Sequence, residues 1–78
     1  MKPIVTEKAV MMIESQNVLT FRTNKEKTKQ EIKKELEDLF EVKVEKIRTK
    51  IQLNKKYAYV KLKKEFPAID LAMKLGLM

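Results

Sequence analysis

The chain has 78 residues, 44% of them apolar, with one Gly, two Pro, no Cys and no His. This length and composition suit one small folded domain, 1–78, and exclude disulfide staples, the usual zinc sites, thiol nucleophiles and imidazole acid-base chemistry. The formal net charge is +7, which points to a polyanionic partner.

Met1 to Val5 is extended in character. Thr6 is placed as an N-cap, able to accept an otherwise orphaned amide of the first turn, and Val5 and Val10 have the spacing of a hydrophobic staple. A short helix over about Glu7 to Glu14 is predicted. "NVLTFRT" then alternates, with Leu19, Phe21 and Thr23 on one side and Val18, Thr20 and Arg22 on the other, the period of a half-buried strand. "NKEK" is a polar connection.

Thr28 and Glu31 form a Thr-x-x-Glu capping box, and Ile32, Leu36, Leu39 and Phe40 follow as one apolar stripe, so a second helix is predicted. Its mixed-charge face has the composition of a solvated surface. In "VKVEKIRTKIQL" Val42 and Val44 are in phase, whereas Ile47, Thr49, Ile51 and Leu53 fall in the opposite phase. One extra residue near Glu45 or Lys46, a β-bulge, would return both sets to one face.

The segment "LNKKY" allows only a tight connection, so Val42 to Leu53 and Tyr57 to Lys63 are predicted to pair as an antiparallel hairpin. Ala58, Val60 and Leu62 share one face of its second arm. Tyr57, Tyr59, Lys61 and Lys63 share the other. Pro67 suits the first turn of a last helix carrying Ala68, Ala72 and Leu75 on one side, with Gly76 ending it and Leu77 tucked against its end. The expected fold is α+β, a small (β)αβαββα sandwich with a three- to four-stranded, mainly antiparallel sheet packed against helices.

No apolar run approaches the roughly 18 residues of a membrane span. The N-terminal "MKPIVTEKAV" lacks the apolar stretch and cleavage site of a signal peptide. A cytoplasmic protein without membrane insertion is expected.

The charge is segregated. Lys43 to Lys64 holds nine basic residues and one acidic residue, Glu45, a balance of +8, while the remainder of the chain nets −1. If Leu19, Phe21, Val42, Val44, Ile47, Ile51, Ala58, Val60 and Leu62 face the core, the opposite sheet face collects Thr20, Arg22, Arg48, Lys50, Tyr57, Tyr59, Lys61 and Lys63. Lysine and arginine there can neutralise phosphates, and tyrosine rings can stack on unpaired bases. RNA is favoured over DNA, because no helix combines strong basic charge with groove-reading side chains in series. Lysines that guard an edge strand against aggregation would explain one strand, not matching chemistry on three. Acidic residues sit singly or on the mixed-charge helix face, and the only glycine is Gly76. Neither a catalytic constellation nor a phosphate-binding loop is present, and no cofactor, metal or small-molecule substrate is expected.

The segments "KPIVTEKA", "TKQEIKKELEDLFEVKVEKIRT" and "KKYAYVKL", in that order and spacing, resemble the signature segments of the ribosomal large-subunit protein twenty-three family in its archaeal form, and "LAMKLGLM" resembles its archaeal C-terminus. The resemblance implies a cytoplasmic component of the large subunit, bound to large-subunit ribosomal RNA beside the polypeptide exit tunnel. It also implies two neighbours, ribosomal protein twenty-nine of the large subunit and the signal recognition particle. On the matching positions, Glu7 is the implied factor-docking acid. Lys8, Lys25, Lys27, Lys29, Arg48, Thr49, Lys55, Lys56, Tyr57 and Tyr59 are implied to lie near RNA. The sequence departs from bacterial relatives in the short "QLNKK" connection, which replaces a long basic loop that reaches into the tunnel. Arg22 and Thr23 stand where many relatives are more apolar, so that end of the strand is expected to be less buried. The competing reading is a small protein-interaction adaptor, binding through the last helix and the Glu7 surface, whose basic face is only solubilising.

Overall fold

The computed structural model describes residues 2–76, so the expectation for Leu77 lies outside the described residues. Strand β1 (Lys2–Pro3) leads to helix α1 (Glu7–Gln16), β2 (Val18–Thr23), α2 (Lys29–Phe40), the hairpin β3 (Val44–Gln52) and β4 (Lys55–Leu62), and α3 (Ala68–Lys74). The sheet order is β1-β2-β4-β3 and every pairing is antiparallel. This is the expected α+β sandwich, with four strands.

The caps read from the sequence are formed. Thr6 Oγ1 accepts from Ala9 N–H at 3.1 Å. The Glu31 amide donates to Thr28 Oγ1 at 3.2 Å, and the Thr28 amide donates back to Glu31 Oε1 at 3.1 Å. Hydrogen bonding from the Thr28 backbone, then from its side chain, holds the Glu31 carboxyl below its ordinary value of 4.5. A carboxyl depressed in the folded state adds stability above that ordinary value, and the contribution is lost as the pH falls through the lower native value. NMR titration of Thr28→Ala, which loses the hydroxyl but keeps the backbone amide, is therefore expected to move Glu31 only part of the way back toward 4.5.

Helix α1 runs past the expected end at Glu14 and stops where Asn17 turns left-handed, at φ 58°. The reason is tertiary. The Asn17 side-chain amide donates to the carbonyls of Leu62 (3.0 Å), Phe66 (3.3 Å) and Lys63 (3.4 Å), and its Oδ1 accepts from the Ala68 amide. Pro67, at the N-cap of α3, has no side chain that can cap. Asn17 thus caps α3 from across the fold while it ends α1. Asn17→Ala is expected to cost about 2–4 kcal/mol, from the left-handed backbone and the orphaned groups together. Urea melts check this, with Asn17→Asp, which keeps the acceptor alone, falling between.

The bulge also forms. The β3–β4 register shifts between Val44, opposite Leu62, and Lys46, opposite Lys61, leaving Glu45 as the extra residue. Val44 and Ile47 then share the core face with Ala58, Val60 and Leu62. Ile13, Ile32, Leu36, Ala68, Leu71 and Ala72 complete that core from the three helices.

Two expected core positions are corrected. Ile51 is 62% exposed, because it lies on the edge strand opposite Lys56, next to the turn, where helical cover runs out. Leu39 is 65% exposed, because it sits at the Glu35 flank of the α2 stripe, while Ile32 and Leu36 occupy its buried centre. Val5, half of the expected staple, is 58% exposed.

The hairpin turn is made by Leu53 and Asn54, both at positive φ (52° and 63°). Two-residue turns of this kind favour Asn-Gly, since a branched side chain is strained there. Leu53 is also almost fully exposed and contributes little burial. Leu53→Asn with Asn54→Gly is expected to raise stability by about 0.5–1 kcal/mol, seen as a melting point several degrees higher.

Candidate nucleic-acid interface

Antiparallel register sets the site out in rows across three strands. Lys46, Lys61 and Val18 form one, Arg48, Tyr59 and Thr20 the next, and Lys50, Tyr57 and Arg22 the third. Directly opposed side chains on one face lie roughly 4.5–5.5 Å apart at Cβ, so each row is a set of touching neighbours. Alternation therefore segregates the chemistry, with Ala58, Val60 and Leu62 in the core and the Tyr and Lys between them on the other side.

Helix α1 completes the surface. Lys8, Met12 and Gln16 border a groove of about 560 Å³ whose other walls include Lys46, Arg48, Lys50, Tyr59 and Lys61. Among the described residues, five cations line this groove and no acid does. Lys46 and Lys61 face each other directly, an arrangement that destabilises an isolated sheet. The ion pair Lys27–Glu35 is the one formed among the described residues, so none of the groove's cations has an acidic partner there. A bound anion would relieve this repulsion.

The face is less open than the sequence suggests. Val18 and Thr20 are each 7% exposed, and it is α1 that borders the ladder over them, while α3 lies with the core.

Several expected site residues fall elsewhere. Lys63 follows the end of β4 and borders a separate recess with Lys33, Glu37 and Glu41, so it leaves the ladder. Thr49 sits opposite Ala58 and alternates onto the core side, although its place on the edge strand still borders the groove. Lys27 pairs with Glu35, and the Lys56 ammonium donates to the Lys27 carbonyl, so both fasten the connection before α2 to the hairpin. Lys25 donates to Asn54 Oδ1 at 3.4 Å and supports the turn. Arg22, with Lys2 and Lys27, borders a small recess at the far end of β2, where Arg22 and Thr23 are only half-buried, as expected. Lys29 is exposed in the first turn of α2, Lys55 is exposed opposite Gln52, and Glu7 is exposed in the first turn of α1.

Lys46 is the basic residue the sequence left undecided. Its phase depends on which residue bulges, and once Glu45 does, Lys46 joins Arg48 and Lys50. Among the described residues no cluster of acids is placed to hold a metal ion, and no helix is long and apolar enough to cross a membrane.

The family model for ribosomal protein L23 matches residues 1–69, which takes in the whole sheet, α1, α2 and the start of α3. The match covers the three strands that carry the basic rows and the helix that closes the groove. The chain therefore belongs to the ribosomal protein L23 family and is a protein of the large ribosomal subunit.

Proposed function

We propose that this protein is a structural, non-catalytic constituent of the large subunit that binds large-subunit ribosomal RNA through the Lys8–Lys46–Arg48–Lys50–Lys61 groove and the tyrosines beside it. The carrying observation is that five cations, none with an acidic partner among the described residues, converge on one groove from three chain segments. Its place is beside the polypeptide exit tunnel, in the cytoplasm, in the archaeal form of the family, as the similarity of its signature segments supports. The hairpin turn has two residues in place of the long basic loop of bacterial relatives, and no contact inside the tunnel is proposed for it. On the outer side, exposed Glu7 helps form the docking site for the signal recognition particle, and ribosomal protein twenty-nine of the large subunit is a neighbour.

The adaptor reading draws on exposed Met11, Ile69 and Met73 on α1 and α3. Sedimentation with purified large subunits at graded salt separates the two. Release that steepens with salt supports RNA binding through the groove. Salt-independent association, unaffected by Lys-to-Gln changes in the groove, would support the adaptor.

A further inference from the structure

Beside the basic groove lies a second, smaller recess of about 170 Å³ between α1 and β4, and Lys8, Met12 and Tyr59 belong to both. Its walls also include Thr20, Tyr57 and Gln52. Thr20 lines it and is 7% exposed, and its buried hydroxyl has no hydrogen-bond partner among the described residues. Buried hydroxyls without partners are uncommon in folded proteins and call for an explanation. The recess is smaller than the roughly 300–1,000 Å³ of sites for whole small molecules. It is larger than the about 30 Å³ a single water occupies in the liquid. Two tyrosines and a methionine around a buried hydroxyl, at the edge of a phosphate-binding groove, match the parts of a single nucleotide.

We infer that this recess receives one unpaired base of the bound RNA, turned out of its strand, with its phosphates in the adjoining cationic groove. This rests on the RNA-binding reading above. The base packs against Tyr59 and Met12, and a polar edge of its ring reaches the hydroxyl of Thr20, while the amide of Gln52 at the rim offers both donor and acceptor. Lys8, shared by the groove and the recess, holds the phosphate at the junction. The protein would thereby recognise an irregularity in the RNA, a bulge or splayed nucleotide, beyond backbone charge.

The test uses two RNA hairpins identical except that one bulged adenosine in the first is an abasic ribose in the second, so that both carry the same phosphates. Titrations of the intact protein are expected to show the adenosine hairpin binding roughly ten-fold or more tightly, as stacking of one base on aromatic side chains implies. Tyr59→Ala and Thr20→Val should each reduce that preference, and Thr20→Val, which lies outside the cationic groove, should leave the affinity for the abasic hairpin nearly unchanged. Thr20→Val removes only the unpartnered hydroxyl, so its melting temperature should equal or exceed the parent's, which separates loss of the site from loss of the fold. Equal binding of the two hairpins overturns the inference and leaves the RNA-binding reading standing. A preference that survives both substitutions places the base elsewhere and also overturns it. Failure of both hairpins and of large-subunit RNA to bind overturns both readings.

Discussion

Replacing Arg48, Lys50 and Lys61 together by Gln is expected to weaken binding to large-subunit RNA by on the order of a hundredfold near physiological salt, and to reduce the log-log salt slope by about 2–3. The three side chains line one groove, and each neutralises one phosphate in the proposed complex. Losing them removes counterion release in proportion. The same substitutions take away the charge of Lys61 that faces Lys46, so the free variant should melt at or above the parent's temperature. Filter binding across a salt series, with thermal melts of the free proteins, reads both effects. An unchanged slope would show that the groove does not track the backbone of the RNA.

Phe21→Ala is expected to cost about 3–5 kcal/mol and to leave the domain largely unfolded or close to it. Phe21 is 2% exposed on β2, opposite Ala58 on one side and Pro3 on the other, at the centre of the sheet's helical face. A globular chain of 78 residues is worth roughly 4–12 kcal/mol in all. One large cavity therefore removes much of the margin. Leu36→Ala, from the α2 side of the same core, should cost about 2–5 kcal/mol. Chemical denaturation measures both, and melting like the parent would show that the core lies elsewhere. The consequence for function is direct, because the basic rows keep their spacing only while the strands beneath them stay in register.

Local rules carried much of this fold because they act over a few residues. The Thr28–Glu31 box and the Thr6 cap depend on atoms three positions apart, and both form as the sequence implies. The phase change in β3 required one bulged residue, and the structure places it at Glu45. Alternation along β3 and β4 was enough to gather Arg48, Lys50, Tyr57, Tyr59 and Lys61 on one face, since side-chain direction has period two in any strand.

Alternation does not report where a strand ends or what lies over it. Lys63 is in phase with the ladder in the sequence but stands beyond the last paired residue, and Ile51 is in phase with the core but stands where no helix covers it. Lys27 and Lys56 are basic in composition, yet their ammonium groups are held by Glu35, 8 residues away, and by the Lys27 carbonyl, 29 residues away. Asn17 shows the same limit more strongly. In the sequence it stands at the head of the β2 stretch, whereas its side-chain nitrogen donates to carbonyls of β4 and the connection after it, 45 to 49 residues away, and its oxygen accepts from the first amide of α3.

By itself, the sequence determined the α+β pattern, the capped helices, the bulged hairpin and a basic, tyrosine-bearing sheet face, because each follows from spacing and side-chain chemistry within one segment. Only the tertiary structure decided that α1 leans over that face, that Lys8 and Lys46 join the groove while Lys63 leaves it, and that the Thr20 hydroxyl is buried beside Tyr59 without a partner among the described residues. These depend on which segments pack together. Packing is set by the whole core at once and cannot be read from any one stretch of the chain.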